Sequence, residues 1–211
     1  MGIPVLIMGE SGSGKSASMR NMVPEKVGVF NVAGKPLPFK NGKNFKTADN
    51  PSYKTIMNSL KNAKLKCYVI DDSQYLMAFD FFNKSKEVGY QKFTEIGYNF
   101  EQLIRTVQTD TPHDCIVYFL HHTGQMPNGS LKAKTIGKML DEKLTVEGLF
   151  SIVLMCVADE NKHVFLTQSN GISTAKSPMD MFDLEIDNDL KMVDETIREY
   201  YGLNEEDKNN E

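Results

Sequence analysis

One segment, residues 9–16, restricts the fold of this chain more than any other stretch. Its sequence, GESGSGKS, matches the spacing of a phosphate-binding P-loop (Walker A), in which glycines let successive backbone N–H groups turn inward towards an anion. The apolar run 4–8 before it predicts a buried parallel strand, and residues 16–23 after it predict a helix that Pro24 ends. We therefore predict a strand–loop–helix unit that binds the phosphates of a nucleoside triphosphate.

Within this loop, the residue types divide the chemistry of a nucleotide site. The Lys15 ammonium is suited to the β- and γ-phosphates, and the Ser16 hydroxyl to Mg²⁺. ATP and Mg²⁺ are the expected ligands, since no Asn-Lys-x-Asp motif for guanine occurs in the chain. The predicted nucleotide-binding residues are Gly9, Glu10, Ser11, Gly12, Ser13, Gly14, Lys15 and Ser16.

The rest of the chain alternates apolar strands with helical patterns, which is typical of an α/β fold. We predict a mostly parallel twisted sheet with helices on both faces and a C-terminal antiparallel hairpin, in one domain over residues 1–203. Residues 123–143 have no clear element and are expected to form a long loop that is either functional or mobile. The predicted strands are 27–32, 67–72 and 115–120, the hairpin 150–157 with 164–167, and the helices 53–60, 73–110 (broken near Gly89) and 190–201.

Composition leads us to expect a cytoplasmic protein without a signal peptide. No apolar run approaches the length of a membrane span, and Met1 leaves no room for a signal peptide before the first strand. The three cysteines, Cys67, Cys115 and Cys156, lie in or beside apolar runs, as buried thiols of a reducing compartment do. Residues 180–211 carry 12 acids against 3 bases, and residues 204–211 are expected to be a disordered acidic tail.

A second motif supplies the acid that a magnesium nucleotide needs. The strand CYVID ends in Asp71, and a carboxylate there orients the metal ion and its waters, as a Walker B acid does. The adjacent Asp72 is a candidate for positioning the attacking water, although it is equally suited to capping the helix that follows. The predicted metal ligands are thus Ser16 and Asp71.

The next strand ends in two histidines. His121 is the predicted catalytic residue, a sensor of the γ-phosphate, but His122 remains open as the alternative. Because side chains alternate along a strand, only one of the two faces the site. An ordinary buried or capping histidine is the other interpretation.

These segments together resemble phage-encoded RecA-like ATPases of the AAA domain group. The resemblance spans about residues 3–185 and is carried by the P-loop, YVIDDSQ (68–74), YFLHHT (118–123), IGKMLD (136–141), TVEGLF (145–150) and NGISTAK (170–176). It implies a RecA-like P-loop NTPase core that binds ATP, acts in phage DNA recombination or replication, and forms a homo-oligomer. It also implies single-stranded DNA, and a single-strand annealing or single-strand-binding protein, as partners.

The resemblance assigns roles to several lysines. Lys132, Lys134 and Lys138 would neutralise DNA phosphates, with a solvated loop as the alternative. Lys176 would reach the γ-phosphate of a neighbouring subunit, with an ordinary surface lysine as the alternative. One position departs from the pattern: recombinases of this kind place a catalytic Glu after the second strand, where this chain has Asn31.

Two other functional classes remain open. The missing acid at Asn31 favours a nucleotide-regulated adaptor with little hydrolysis. A P-loop small-molecule kinase would need an Arg-rich lid, but the chain contains only Arg20, Arg105 and Arg198, none of them in a glycine-rich loop. The main expectation is a magnesium-dependent ATPase.

Overall fold

The computed structural model describes residues 1–137, 140, 143–159 and 162–203. Strands and helices alternate in the first part, and an antiparallel ribbon and a helix follow. The described strands are β1 (Ile3–Gly9), β2 (Val27–Asn31), β3 (Thr47–Asp49), β4 (Cys67–Asp71), β5 (Ile116–Gln125), β6 (Leu131–Ala133), β7 (Ile152–Ala158), β8 (His163–Leu166) and β9 (Glu185–Asp187). The described α-helices are α1 (Tyr53–Lys61), α2 (Gln74–Asn83), α3 (Gln91–Asp110) and α4 (Leu190–Tyr200).

The strands form a mixed sheet in the order β3-β2-β4-β5-β1-β7-β8-β9, with β6 paired to β5 outside this path. Every pairing from β3 across to β7 is parallel, whereas β7, β8 and β9 pair antiparallel. The predicted α/β class, the mostly parallel sheet and the C-terminal hairpin are confirmed. β3 and β9, each three residues long, have no signal of their own in the sequence.

The core lies on both faces of the sheet. On one face, side chains such as Leu6 and Phe119 pack with Ile56 of α1, Met77 of α2 and Phe100 of α3. On the other face, alternate strand residues such as Val5 and Tyr118 pack with Met19 and with Leu190, Val193 and Ile197 of α4. Strands covered on both sides become continuous apolar runs, which is why β1, β4 and β5 stand out in the sequence.

Several predicted elements match closely. Ser52 caps α1 by accepting from the Thr55 N–H at 3.2 Å, and the 73–110 region divides into α2 and α3 around Gly89, whose φ is +100°. A glycine is suited there because a side chain at positive φ costs about 1 kcal/mol. Helix α4 also lies where periodicity predicts it.

Two predictions need correction. The helix expected over 16–23 is a 3₁₀ helix over Ser16–Asn21, with Ser18 N–H shared between the Gly14 and Lys15 carbonyls. The expected loop 123–143 is partly regular, because β5 runs on to Gln125 and pairs with β6. The polar side chains of this ribbon hide the alternation that marks a strand.

Other predictions concern compartment and extent. No helix among the described residues is long and apolar enough to span a membrane. Cys67, Cys115 and Cys156 are all buried and unpaired with one another, as predicted. The expected disordered tail, 204–211, lies outside the described residues.

Candidate functional site

The ends of β1, β4 and β5 meet at one edge of the sheet. β5 lies between β1 and β4, with His122 in register with Gly9 on one side and Phe119 in register with Ile70 on the other. The P-loop follows β1, and Asp71 ends β4. Parallel pairing thus brings the two predicted nucleotide motifs to the same edge, where ligands bind in open α/β sheets.

The P-loop backbone needs its glycines. Gly12 and Gly14 have φ of +83° and +101°, a region that other residues adopt at a cost. A Cβ on Gly9 would lie 2.4 Å from Ser13 Oγ and 2.6 Å from the Cys156 carbonyl oxygen. Ser13 Oγ itself is buried and has no hydrogen-bond partner among the described residues.

Lys15 is folded into this loop. Its side chain is buried, and its Nζ donates to the Gly9 carbonyl at 2.9 Å and to the Glu10 carbonyl at 2.8 Å. Burial lowers the pKa of Lys15, and the negative charges of Asp72 and Asp71 offset part of that effect. The ammonium is therefore held at the mouth of the loop by carbonyl oxygens that an anion can replace.

Ser16 joins the loop to β4. Its hydroxyl donates to Asp71 Oδ1 at 2.7 Å, although the two residues are 55 positions apart. Asp71 is buried, which raises its pKa, while the hydrogen bond from Ser16 opposes this. The two predicted metal ligands are thus side by side.

This oxygen pair suits Mg²⁺, which takes one or two protein ligands and completes its shell with phosphate oxygens and water. Within the described ranges, no group of three or more His, Cys, Asp or Glu side chains is arranged to hold a metal ion. The residues present therefore fit a metal that arrives with a nucleotide rather than one held by protein alone.

Asp72 does not cap α2. Its carboxylate instead contacts Lys35 Nζ at 2.6 Å through Oδ2 and accepts from His122 Nε2 at 3.1 Å through Oδ1. Burial opposes its ionisation, but the two partners outweigh burial and lower the pKa of Asp72 to about 2. Its φ of +56° lies in the left-handed region, which aspartate adopts more readily than most residues other than glycine.

The sequence did not identify Lys35 as a site residue. It lies on the turn after β2, which Gly34 N–H closes on the Asn31 carbonyl at 3.2 Å. The Asn31 side chain also donates to the Lys35 carbonyl at 2.8 Å. The signal was available: parallel strand ends meet at one edge, so a lysine just after β2 is expected near Asp72.

The two histidines have different surroundings. His121 is fully buried; its Nε2–H donates to the Lys134 carbonyl at 2.9 Å and its Nδ1 lies 2.9 Å from Ser73 Oγ. Burial lowers the pKa of His121 to about 4. The geometry brings His122, not the predicted His121, to Asp72, while both ring nitrogens of His121 are engaged inside the protein.

Three residues that sequence reasoning missed support the loop from behind. Cys156 Sγ and His163 Nδ1 both donate to the Ser13 carbonyl, at 3.0 and 2.8 Å. Asn188 Nδ2 in turn donates to Cys156 Sγ at 3.1 Å. These residues lie on β7, on β8 and between β9 and α4, so no local sequence pattern predicts their contacts with the loop.

The predicted accessory lysines have different positions. Lys176 pairs through its backbone with Val153, near the start of β7. Lys132 lies on β6, and Lys134 follows it with an exposed side chain. Lys138 lies outside the described residues. Their predicted roles towards DNA and a neighbouring subunit stay predictions.

All three arginines are used elsewhere. Arg20 donates to the Asn188 carbonyl, Arg105 pairs with Glu101, and Arg198 pairs with Asp194. The cations at the strand ends are therefore lysines. This distribution lacks the arginine lid that a small-molecule kinase would need.

No protein-family model matches this chain, and no curated protein matches it. What the protein does must therefore follow from the side chains at the sheet edge.

Proposed function

We propose that this protein binds Mg²⁺–ATP at the sheet edge formed by β1, β4 and β5 and hydrolyses it. The observation that carries the proposal is the 2.7 Å hydrogen bond from Ser16 to Asp71. It joins the last residue of a complete P-loop sequence to the acid of an apolar strand. An ordinary glycine-rich turn has no reason to meet a buried carboxylate in this way.

Each residue has a distinct task in this scheme. Lys15 leaves the Gly9 and Glu10 carbonyls to bind the phosphates, and the loop N–H groups complete the anion site. Ser16 and Asp71 supply oxygen ligands to Mg²⁺. The metal, when bound, neutralises charge on the phosphate oxygens. Asp72 orients the attacking water.

The direct test measures ATP binding by calorimetry with and without Mg²⁺. Lys15→Ala should weaken binding at least tenfold in both conditions, because a charge-assisted contact is lost. Ser16→Ala should remove most of the gain that Mg²⁺ brings and leave metal-free binding nearly intact. Lys40→Ala is the matched control, because Lys40 is an exposed lysine on the connection between β2 and β3. Equal affinity of the Lys15→Ala and Lys40→Ala proteins would refute the proposal.

A nucleotide-regulated adaptor with little turnover is the second candidate. Asn31 holds a turn where an acid would be needed, and both oxygens of Asp72 already accept hydrogen bonds. Both features favour slow hydrolysis. Tight Mg²⁺–ATP binding with less than one turnover per hour would select this candidate over the ATPase.

The RecA-like fold and the role in phage DNA recombination rest on the resemblance. Helices on both faces of a parallel sheet are compatible with that fold. The β5–β6 ribbon extends from the nucleotide edge and carries Lys132, with Lys134 following. Single-stranded DNA should therefore bind better with ATP present. If DNA changes neither nucleotide affinity nor turnover, the recombination role fails.

A further inference from the structure

Lys35 occupies an unusual place for an exposed lysine. Its Nζ lies 2.6 Å from Asp72 Oδ2, although 63% of its side chain is accessible to solvent and only 7% of the Asp72 side chain is. The ammonium thus pairs with a carboxylate that is almost completely buried and compensates its charge. Most of the Lys35 side chain nevertheless remains in contact with solvent, where another anion can reach it.

The backbone of Lys35 is held by hydrogen bonds, whereas most of its side chain is exposed. Asn31 Nδ2 donates to the Lys35 carbonyl and also to Asp49 Oδ1, at 2.8 and 2.9 Å. The Lys35 ammonium lies 5.7 Å from the centre of the Tyr75 ring. Because its backbone is anchored and its side chain is mostly exposed, the ammonium can exchange one anion for another without a change in the fold.

The residues around Lys35 indicate which anion could replace Asp72 as its partner. Asp72 directly follows Asp71, which accepts from Ser16 of the P-loop. A nucleotide held by this loop and by Mg²⁺ would bring its terminal phosphate to the metal ligands Ser16 and Asp71, and Lys35 is paired with the residue that directly follows Asp71. Such a phosphate carries more negative charge than a carboxylate and offers three oxygens.

We propose that Lys35 binds the terminal phosphate of a nucleoside triphosphate, exchanging Asp72 for that phosphate when the triphosphate arrives. This inference rests on the proposed function. A diphosphate lacks the terminal group, so it leaves Lys35 on Asp72. Lys35 thereby distinguishes triphosphate from diphosphate and uncovers Asp72 only when there is a phosphate to hydrolyse.

The experiment compares the affinities for ADP and for adenylyl-imidodiphosphate, a non-hydrolysable ATP analogue, by calorimetry with Mg²⁺. Lys35→Gln should lower the triphosphate-to-diphosphate affinity ratio about tenfold, because one charge-assisted contact is lost from the triphosphate alone. ADP affinity should stay within about twofold. Lys40→Gln, on the same connection and exposed, should leave the ratio unchanged.

A second variant should change the triphosphate-to-diphosphate affinity ratio in the opposite direction. Asp72→Asn removes the competitor for Lys35 and should raise the ratio, and most of that rise should vanish in the Lys35→Gln, Asp72→Asn double variant. A Lys35→Gln ratio equal to wild type, whatever its turnover, overturns the proposal. So does an Asp72→Asn gain that persists in full without Lys35.

Failure of the proposed function looks different. There, neither nucleotide would show affinity that depends on Lys15, and both proposals fall. If binding depends on Lys15 but the triphosphate-to-diphosphate affinity ratio is the same with and without Lys35, only the inference about Lys35 fails.

Discussion

Gly9 has no space for a side chain larger than a hydrogen atom. Any Cβ at this position meets Ser13 Oγ and, more seriously, the Cys156 carbonyl oxygen at 2.6 Å, which is backbone and cannot rotate away. The close approach lets β7 support the P-loop. The glycine is therefore required by packing and not by its own φ.

We expect Gly9→Ala to lose about 1–3 kcal/mol of unfolding free energy through overpacking, and to weaken ATP binding at least tenfold because the loop is displaced. Urea unfolding and calorimetry measure the two effects. Gly124→Ala is the control, since a Cβ there meets nothing nearer than 3.7 Å. Equal behaviour of the two variants would contradict the packing argument.

His121 makes stability depend on pH. Its pKa is lowered to about 4 by burial, with smaller contributions from the positive charges of His122 and Lys15. The unfolded chain takes up this proton near pH 6.5, but the folded protein does so only near pH 4. The contribution of His121 is therefore fully present above pH 6.5 and is lost as the pH falls towards 4.

Urea unfolding of His121→Gln should reveal this dependence. Gln retains a donor for the Lys134 carbonyl but does not titrate, so it should escape a loss of about 3 kcal/mol that wild type suffers between pH 7 and 4. As the pH falls from 7 to 4, the unfolding free energy of wild type should therefore decrease more than that of His121→Gln. His113→Gln, at an exposed position, should follow wild type; a parallel course for all three proteins would show that His121 is not buried neutral.

Among the elements, β6 is paired with β5 and is also held by a buried carboxylate, that of Glu147. Glu147 Oε1 accepts from the Ala133 N–H at 2.6 Å and from Thr174 Oγ1 at 3.3 Å. These bonds tie the short β6 to the 3₁₀ turn Val146–Leu149. They also give a physical reason for the Glu in the TVEGLF segment.

Glu147→Ala should destabilise the protein by about 1–3 kcal/mol, because the buried Ala133 N–H loses its acceptor. Glu147→Gln retains a carbonyl oxygen and should lose clearly less. Hydrogen exchange would locate the effect. In the Glu147→Ala variant, the Ala133 amide of β6 should exchange faster than in wild type, whereas the amides of α4 should exchange at an unchanged rate. Equal exchange in both variants would exclude this role.

For the whole molecule, the position of Lys176 sets a clear test of assembly. The resemblance predicts that Lys176 reaches the γ-phosphate of a neighbouring subunit, and its backbone pairs with Val153 near the start of β7. Lys15→Ala disables the nucleotide site of the subunit that carries it. Lys176→Ala leaves that site intact and removes only the lysine that the subunit would contribute to its neighbour's site. A mixture of two such inactive proteins can therefore contain complete sites.

We expect the mixture to regain up to about a quarter of wild-type ATPase activity when both proteins are equally abundant and assemble at random. Light scattering with the ATP analogue would establish the oligomer independently. Normal activity of Lys176→Ala alone, or an oligomer whose mixtures stay inactive, would contradict the role in a neighbouring subunit.

Much of the site could be predicted because its chemistry is encoded over short distances. Ser16 and Asp71 were assigned as partners because a P-loop and an acid-ending strand each form a local pattern, and parallel strands bring their ends to one edge. Strand alternation also predicts that only one of His121 and His122 faces the site. Which one does depends on the register of β5 against its neighbours, and no local pattern encodes a register.

The sequence by itself determined the α/β class, the loop proposed to bind phosphate and the Ser16–Asp71 pair proposed to hold the metal, since glycine spacing and apolar runs act through the local backbone. Only the tertiary structure decided that His122 and Lys35 share Asp72, and that Cys156 and His163 support the loop. These are contacts between segments as much as 150 positions apart, as His163 and Ser13 are. Such contacts follow from how the sheet is ordered, because side chains of separate strands meet only after the strands have paired.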